Sequence, residues 1–562
     1  MNLFYQLKKY PTIRSVFNLL FAYIILSSCK NETAADKAIQ WNTYEIVFKA
    51  AGSYTNAYTA VDVWVDFVND KNDTIVRPAF WDGGNIWKVR FAPPDYGHLW
   101  KWRSYASVND NGLAGKEGSI MSVTYDGENR LLKHGMLQMS PGKRNVIHAD
   151  GTPFLLVGDT PWSIPYRATT EQVTVYADDR KQKGFNTALL ITLQPDRNAE
   201  GPEARNTVLG FMRAFEDITS GQINKLNPSY FNTLDSIINI LIQHEITPVY
   251  APFAHGYGWK GKGSVGALIE PDQYSRYCRY LVARYGSTPA LWLISLDDNG
   301  KAQGVKPGGE TIEQWDAYKQ PTGLHYNPHD ETLAGWANGD STCCFHQNRV
   351  YQEEEWLDFQ WAQTGHDGLH IYRKVEKMYD AQPTKANMNG EPTYEAMGGG
   401  KFGLGWWQGE DAWNQLMLGG TMGVVYGAAC LWQWKITQDE EGWEEWTDAP
   451  YSWKDALSFE GSKYVGAIAK AFRGFDFTDM QKRRDLASNN QPLLAKENVF
   501  YVSFLEKGQS ISIKNVPAYL PYYWFDPMAG EFKSEGKTKR NDSFTPPDSN
   551  PWVIIIGERK KE

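Results

Sequence analysis

Two acidic residues, Asp297 and Glu391, follow short apolar segments at points where a side chain can face a cleft. Glu391 closes "KANMNGE", and its neighbours Gly390 and Pro392 favour a turn and prevent a strand from continuing. Asp297 lies in "ALWLISLDDNG" (290–300). If both face one cleft, one carboxyl group can protonate a glycosidic oxygen while the other attacks or stabilises the sugar carbon. The alternative for Glu391 is a solvated carboxylate in a surface turn.

Eight short apolar segments that end in polar residues alternate with polar or amphipathic segments through the middle of the chain. The eight segments are 154–162, 185–194, 246–256, 290–300, 323–330, 356–366, 385–391 and 423–434. The intervening segments, such as "YFNTLDSIINILIQHE", have the pattern of helices. This alternation predicts an α/β fold, a (β/α)8 TIM barrel over residues 131–465, in which all the strands end around one mouth.

Polar and aromatic side chains near the strand ends are the predicted substrate-binding residues. They are Asp159, Trp162, Gln194, His255, His325, Asn327, Gln363, His366, Trp432 and Trp434. Amides, imidazoles and indoles suit an uncharged, polyhydroxylated ligand. Two alternatives stay open: Gln363 and His366 either contact the ligand or form a buried network. The two tryptophans alternate on the predicted eighth strand and form either a stacking platform or part of the core.

Neither a nucleotide cofactor nor a metal ion is predicted. The chain has no phosphate loop and no Gly-x-Gly-x-x-Gly sequence after a predicted strand. In "HYNPHD", His325 and His329 could suggest a metal site. Histidines at the end of a barrel strand more often bind a sugar hydroxyl or a catalytic carboxylate, so we expect that role here.

The segments that flank the predicted barrel have strand patterns. In "VDVWVDF" (61–67), apolar residues alternate with Asp62, Trp64 and Asp66. We predict a β-sandwich over residues 40–130 and a second one over residues 466–562. Between the fourth and fifth barrel strands, residues 301–321 are interrupted by glycine and proline, which predicts that they are poorly suited to a long helix.

Length and composition limit the function classes. A chain of 562 residues is too long for one core, so several domains are expected. Its net charge is −9 and it has no long basic tract, which argues against a nucleic-acid partner. The 23 Trp, 31 Tyr and 25 Phe suit large cores, and they also suit stacking on sugar rings if they lie in a cleft. The oligomeric state is left open.

The N-terminus predicts export. Lys8, Lys9 and Arg14 precede the apolar run "SVFNLLFAYIIL" and then Cys29. This pattern resembles a bacterial lipoprotein signal, so we predict a signal peptide over residues 1–28, lipidation of Cys29 and a tether over residues 29–39. The protein would then contact the membrane only through this lipid anchor, as an outer-membrane lipoprotein. The alternative is an ordinary signal peptide with an incidental cysteine.

The other four cysteines, Cys278, Cys343, Cys344 and Cys430, have no zinc-site spacing, and no disulfide is assigned to them.

Several motifs resemble one known family. "WLISLDD", "WLDFQWAQTGH", "NGEPTYE" and "YGAACLWQW" are similar to the apiosidase-like barrels of glycoside hydrolase family 140 and their relatives. "IWKVRFAPPDYGHLWKW" resembles the immunoglobulin-like domain that often precedes such barrels, and "YYWFDPMAG" resembles the sandwich that follows them. The resemblance implies a retaining glycosidase of the kind that bacteria use on plant polysaccharides, often as a lipoprotein.

The resemblance also implies roles for the acidic residues. The family's acid/base aspartate after the fourth strand corresponds to Asp297, and its nucleophilic glutamate after the seventh corresponds to Glu391. The relatives usually read Trp-x-x-Gly-Gly-Asp after the fourth strand, whereas this chain has Ser295 and Leu296 in place of the glycines. Asp298 is therefore an alternative acid, and the sugar stays open. Glu395 is the alternative nucleophile, although a structural role is expected for it.

The sequence thus predicts an exported retaining glycosidase that acts on a plant or algal polysaccharide. The second hypothesis is a non-catalytic, glycan-binding surface lipoprotein on a barrel scaffold, which would have no reason to keep two facing carboxylates. A polysaccharide lyase ranks last, because the predicted cluster lacks an Arg or Lys partner for a uronate.

Overall fold

The computed structural model describes residues 35–194, 213–256, 260, 263–298, 300, 302–326 and 350–560. The predicted signal peptide, Cys29, Asn327, Cys343 and Cys344 lie outside the described residues. The chain divides into two units, Met1–Asp36 and Lys37–Glu562, and the second contains all the architecture below.

An antiparallel seven-stranded sheet begins the described chain, with strand order β1-β7-β6-β3-β4-β5-β2. Its strands are β1 (Asp36–Ile39), β2 (Tyr44–Lys49), β3 (Val63–Val68), β4 (Thr74–Trp81), β5 (Ile86–Phe91), β6 (Leu99–Ala106) and β7 (Glu117–Val123). Val63, Val65 and Phe67 of β3 point into its core, as the alternation predicts, while Trp64 and Asp66 are partly exposed. A small three-stranded sheet follows, formed by β8 (Leu137–Met139), β9 (Val146–His148) and β10 (Pro153–Phe154).

Eight parallel strands then form the barrel. They are β11 (Leu156–Asp159), β12 (Thr187–Ile191), β13 (Thr247–Ala251), β14 (Leu291–Leu293), β15 (Thr322–His325), β16 (Phe359–Gln363), β17 (Ala386–Glu391) and β18 (Gly423–Tyr426). From β11 to β17, neighbours in sequence pair in parallel, and β18 pairs with β11. Between β17 and β18, Met422 N donates to the Asn387 carbonyl at 3.3 Å. The predicted TIM barrel is confirmed, and sheets of antiparallel strands flank it at both ends, where β-sandwiches were predicted.

Helices connect the barrel strands. The longer ones are Thr170–Lys183, Pro228–Gln243, Pro271–Tyr285, Val305–Trp315, Arg373–Asp380, Trp406–Met417 and Gly461–Phe472. Short helical turns occur at Ala57–Ala60, Arg130–His134, Ile164–Arg167, Met397–Gly400, Ala429–Trp432 and Trp453–Ala456. Local sequence fixes their ends: Thr169 and Gln172 form a capping box at the start of Thr170–Lys183, and Gly184 ends that helix in the left-handed conformation.

The helix Val305–Trp315 corrects the prediction for residues 301–321. Pro307 lies in its first turn, where a missing N–H costs nothing. Gly308 and Gly309 let aromatic rings approach the helix, because a Cβ atom would lie 2.8 Å from the Tyr274 ring at Gly308 and 2.4 Å from the Trp356 ring at Gly309. Close packing therefore outweighs the low helix propensity of glycine.

The C-terminal part contains a six-stranded antiparallel sheet and a separate strand pair. Its strands are β19 (Gln481–Lys482), β20 (Leu494–Lys496), β21 (Phe500–Leu505), β22 (Ile511–Ser512), β23 (Pro521–Asp526), β24 (Glu531–Lys537), β25 (Ser543–Phe544) and β26 (Trp552–Gly557). One face of the sheet packs with the pair β22–β25. The other face packs on the barrel, where Trp413 stacks on Phe504 with ring centroids 5.9 Å apart.

The described part of the chain has no helix that is long and apolar enough to span a membrane. Cys278 and Cys430 are buried thiols that do not form disulfides.

Candidate active site

Glu391 lies at the end of β17 between two histidines. Its Oε1 is 3.0 Å from His366 Nε2, and its Oε2 is 3.2 Å from His325 Nε2. Burial alone would raise the pKa of Glu391, but the two facing imidazoles outweigh burial and lower its pKa to about 2. This carboxylate is therefore ionised across the physiological pH range.

Asp297 faces the same space from the segment after β14. Its backbone has φ = +56°, a left-handed conformation that is uncommon outside glycine and is found where a site requires it. The Asp297 N–H points to His325 Nδ1 at 3.5 Å, and the same ring nitrogen lies 3.9 Å from Asp297 Oδ1, so this imidazole lies between the two acidic residues. A carboxylate oxygen of Asp297, a ring nitrogen of His325 and a carboxylate oxygen of Glu391 lie within 4.8 Å of one another.

Two glycines make room for this arrangement. A Cβ atom at Gly256 would lie 2.7 Å from Asp297 Cβ, and one at Gly390 would lie 2.9 Å from Trp361 Cβ and 3.1 Å from His325 Cδ2. The glycine in "NGEPTYE" thus admits the imidazole that faces the carboxylate next to it.

Asp298, the alternative to Asp297, has both oxygens occupied by local hydrogen bonds. Ser295 Oγ donates to one oxygen at 2.8 Å, and Gly300 N donates to the other at 2.5 Å. Asp298 is also fully buried. Ser295, which replaces a glycine of the family pattern, therefore anchors Asp298, and this arrangement favours Asp297 as the group that meets a ligand.

Glu395, the alternative nucleophile, is also held by the protein. Its Oε1 accepts from Gly405 N at 2.8 Å and from Gly461 N at 3.2 Å, and its Oε2 accepts from the Tyr426 hydroxyl at 2.8 Å. Burial raises the pKa of Glu395. These contacts correspond to the structural role expected for Glu395.

Tyr394 is a residue of the site that sequence reasoning missed. Trp162 Nε1 donates to the Tyr394 hydroxyl at 2.8 Å. Burial and the hydrogen-bonded charge of Glu391 raise the pKa of Tyr394 well above its usual value, so the hydroxyl keeps its proton and can donate it to the carboxylate. The available signal was its place in "NGEPTYE", three residues after Glu391.

Several predicted binding residues lie around this centre. Trp162 packs edge-on against His325, with ring centroids 6.0 Å apart, and Trp432 lies 6.2 Å from the Tyr394 ring. His255 is at the same end of the barrel, where its backbone pairs with Leu296. Gln363 lies opposite Glu391 in the pairing of β16 with β17.

Asp159 and Trp434 are held in the core, which corrects their assignment as binding residues, whereas Gln194 makes one structural contact and stays a prediction. Asp159 is fully buried and accepts from Arg180 Nε at 2.5 Å and from the Tyr176 hydroxyl at 3.0 Å. Gln194 Oε1 accepts from the Ala214 backbone N–H at 2.9 Å.

Trp434 is the other predicted binding residue that lies in the core. It is fully buried, stacks on Trp453 at 4.6 Å and donates to Gln172 Oε1 at 2.9 Å. The eighth strand ends at Tyr426, so the predicted alternation of Trp432 and Trp434 on it is wrong.

Asp297, His325 and Glu391 also have the donor types that bind divalent transition metals, at mutual distances that one ion could bridge. The same three groups suit acid–base and nucleophilic chemistry without a metal.

The barrel and the comparisons with known proteins together define the class: the protein is a glycoside hydrolase. The model of the family described as apiosidase-like, catalytic domain matches residues 140–479. The chain therefore belongs to the apiosidase-like family, as its motifs suggested. A domain family of unknown function, DUF5060, matches residues 37–107. No curated protein matches the chain.

Solved structures show the same fold. A candidate glycoside hydrolase from Bacteroides vulgatus is 16% identical and has a TM-score of 0.67, over 93% of this chain and 99% of that one. A glycoside hydrolase family 5 protein from the same organism is 19% identical with a TM-score of 0.59, over 76% and 94% of the two chains. Another structure, named simply a glycoside hydrolase, is 19% identical with a TM-score of 0.60, over 77% and 99%.

Proposed function

We propose that the protein is a retaining glycosidase that cleaves a plant or algal polysaccharide, with Glu391 as nucleophile and Asp297 as acid/base. The observation that carries this proposal is the proximity of the two carboxyl groups, which have oxygens within 4.8 Å of each other. Retaining enzymes hold this pair roughly 5–5.5 Å apart, whereas inverting enzymes need roughly 6.5–9.5 Å to admit a water molecule.

The charges around the two carboxyl groups assign their roles. The two histidines keep Glu391 ionised, as a nucleophile requires. A second negative charge so close to Glu391 is unfavourable, so the proton of the pair is expected on Asp297.

In the first step, the Asp297 proton passes to the leaving glycosidic oxygen as that C–O bond breaks, and a Glu391 oxygen bonds to the anomeric carbon. In the second, Asp297 removes a proton from water, the water oxygen bonds to the same carbon, and Glu391 leaves as a carboxylate.

Three neighbours orient the nucleophile. His325, His366 and the Tyr394 hydroxyl all face the Glu391 carboxylate. Donors that point at a carboxylate stabilise it both before attack and as it leaves the glycosyl-enzyme, and they fix its position within the reacting geometry.

A non-catalytic glycan-binding protein is the second candidate. The aromatic residues Trp162, Trp432 and Tyr394, which pack together beside the catalytic pair, would suit it. The close carboxylate pair speaks against it, because two facing carboxylates cost electrostatic energy that binding alone does not require.

The test is reducing-sugar release from a panel of plant and algal polysaccharides by the wild type and by Glu391→Gln. We expect activity on at least one glycan and a drop of at least about a thousandfold in the variant, which corresponds to roughly 4 kcal/mol of barrier. Proton NMR of the first product should show the anomeric configuration of the substrate. Glu535→Gln, an exposed change on β24, is the matched control and should keep full activity.

Two results would count against the proposal. Activity that survives Glu391→Gln would show that another residue is the nucleophile. A first product with inverted anomeric configuration would exclude the double-displacement mechanism. Glycan binding without any cleavage would favour the binding protein.

We also propose that the protein is exported and anchored through a lipid on Cys29. The supporting pattern is the basic segment, the apolar run and the cysteine at positions 8–29. Incorporation of labelled fatty acid should occur in the wild type and be lost in Cys29→Ala, which should then leave the membrane fraction. Equal labelling of both would contradict the assignment.

A further inference from the structure

His366, one of the two histidines that contact the proposed nucleophile, lies on a short turn after β16. Its Nε2 is 3.0 Å from Glu391 Oε1, and its side chain is 15% exposed. The other ring nitrogen, Nδ1, is buried and has no hydrogen-bond partner among the described residues. A histidine that orients another group is commonly fixed by a hydrogen bond at its second nitrogen. The position of this imidazole depends instead on ring packing and on the main chain that carries it.

Two aromatic rings pack against the imidazole of His366. The Tyr394 ring lies 4.7 Å from it between centroids, at an interplanar angle of 42°, and the Trp446 ring lies 6.3 Å from it. Packing of this kind is not directional in the way that a hydrogen bond is. The distance from the imidazole to Glu391 therefore depends on where the turn places the His366 Cα atom.

The turn that carries His366 has a permissive backbone. Gly365 precedes His366 with φ = +87°, and Gly368 ends the turn with φ = +73°. Glycine adopts this left-handed conformation without steric cost, but it also has more alternative conformations than any other residue. The turn consequently needs contacts from outside to stay in one conformation.

Thr393 supplies these contacts through its hydroxyl group. Thr393 Oγ1 accepts from Gly368 N at 3.1 Å and donates to the Gly365 carbonyl at 3.1 Å. One buried hydroxyl thus joins the two ends of the turn. Because Thr393 follows Glu391 by two residues, the turn is attached to the same short segment as the proposed nucleophile.

The backbone of this segment is itself held on both sides. Gln408 Nε2, from the helix Trp406–Met417, donates to the Thr393 carbonyl at 2.8 Å and to the Gly403 carbonyl at 2.8 Å. On the side of β16, Thr364 N donates to the Glu391 carbonyl at 3.1 Å. The Thr393 hydroxyl therefore has a fixed place relative to Glu391, and it passes that place on to the turn.

We propose that Thr393 is a positioning residue, whose hydroxyl holds the turn after β16 so that the His366 imidazole meets the Glu391 carboxylate. The proposal rests on the function proposed above and adds a residue to the same site. Thr393 acts through His366 and not on the reacting atoms. Small displacements of groups around a reacting centre lower the rate strongly, so loss of this hydroxyl should be visible in catalysis.

The kinetic test removes the hydroxyl and then restores it. Thr393→Val keeps the shape of the side chain and should lower kcat/KM by about tenfold or more. Thr393→Ala, which adds no bulk, should act in the same direction, whereas Thr393→Ser keeps the hydroxyl and should stay close to the wild type. In a His366→Asn protein, Thr393→Val should have little further effect, because residues that act through one another are not additive.

A spectroscopic measurement tests the position of His366 without catalysis. In NMR spectra of protein labelled with carbon-13 at histidine Cε1, the His366 signal is the one that is absent in His366→Asn. This signal should shift in Thr393→Val, since the imidazole moves relative to the Glu391 charge, and it should return to its place in Thr393→Ser.

The matched control is Thr421→Val at the opposite end of the barrel. The Thr421 hydroxyl is also buried, and it donates to the Arg144 carbonyl at 2.7 Å. Thr421 lies before the start of β18, away from the strand ends that carry the site. Thr421→Val should therefore leave both kcat/KM and the His366 signal unchanged.

An unchanged His366 signal in Thr393→Val would overturn the proposal. Equal losses of kcat/KM from Thr393→Val in the wild-type and His366→Asn proteins would also overturn it, as would a Thr393→Ser protein as defective as Thr393→Val. A shifted signal with full activity would refute the catalytic part of the role. A wild type that cleaves no glycan would refute the glycosidase, while the signal would still decide whether Thr393 positions His366.

Discussion

At the scale of single residues, the charge of Glu391 depends on two imidazoles. Its folded-state pKa of about 2 lies below the ordinary value of 4.5. Glu391 therefore contributes to stability above about pH 4.5, and this contribution is lost as the pH falls towards 2. The same shift keeps the proposed nucleophile ionised in acidic surroundings.

Replacing one imidazole should move the acid limb of the activity profile. In His366→Asn, Glu391 keeps His325 but loses the partner of Oε1, so its pKa should rise. The dependence of kcat/KM on pH, measured from pH 2 to 8, should show the acid limb at higher pH in the variant than in the wild type. His370→Asn is the control, because His370 contacts Asp411 at 3.0 Å instead of Glu391. A limb that stays in place in His366→Asn would mean that His366 does not set this pKa.

The two glutamates of "NGEPTYE" should separate activity from stability. Glu395→Ala leaves the N–H groups of Gly405 and Gly461 without their acceptor, which should lower the free energy of unfolding by about 1–3 kcal/mol. Glu391→Gln should remove activity with little loss of stability. Urea denaturation and assays of both variants check this contrast, and a stable but inactive Glu395→Ala would reverse the assignment.

Strand-end reasoning finds residues near the site but not the direction of each side chain. Asp297, His325 and Glu391 lie at or just after the ends of three different strands, and the barrel brings them together. Asp159 also ends a strand, yet Arg180 reaches it from the helix Thr170–Lys183 and holds it in the core. No local pattern distinguishes these two outcomes, since the difference depends on a partner distant in sequence.

At the scale of elements, the loop after β13 sets the position of Asp297. A Cβ atom at Gly256 would lie 2.7 Å from Asp297 Cβ and 2.8 Å from Oδ2. Gly256→Ala should therefore displace the acid and lower kcat/KM by about a hundredfold, because small misplacements of catalytic groups have effects of this size. In the same loop, a Cβ atom at Gly263 would have no neighbour within 4 Å, so Gly263→Ala should retain activity. Equal activity of the two variants would show that the loop can move away from Asp297.

The secondary-structure elements were predictable where the pattern of apolar residues along the sequence determines them. Each of the eight apolar segments contains a barrel strand or overlaps one, because a strand buried on both faces requires a continuous apolar run. The helix Val305–Trp315 was not predictable from propensity, since its glycines serve packing against Tyr274 and Trp356. The end of β18 was misjudged because the apolar run continues into the turn Ala429–Trp432, which is buried as well.

At the scale of the whole molecule, a buried ionic network joins the N-terminal sheet to the barrel. Arg284, on the helix Pro271–Tyr285, binds Asp82 at 3.0 Å and Asp235 at 2.8 Å. Arg90 of β5 binds the other oxygen of Asp235 at 2.6 Å and the Arg284 carbonyl at 2.7 Å. These ion pairs join groups of the N-terminal sheet to groups of the barrel helices. Separating the sheet from the barrel would therefore leave partly buried charges unpaired.

The N-terminal sheet and the barrel should consequently unfold together. Calorimetry of the wild type should give one transition for both. Arg284→Met should lower stability by about 3 kcal/mol, because Asp82 and Asp235 each lose one cation and keep Lys88 and Arg90, respectively. The control is Arg103→Met, whose ion pair with Glu117 has side chains 57% and 62% exposed and should contribute at most about 1 kcal/mol. Two separate transitions in the wild type, or equal losses of stability from the two substitutions, would show that the N-terminal sheet folds independently of the barrel. A single transition whose midpoint temperature falls in Arg284→Met would show that the N-terminal sheet stabilises the barrel. Residues on and after β4 and β5 would then stabilise the helices that follow β12 and β13.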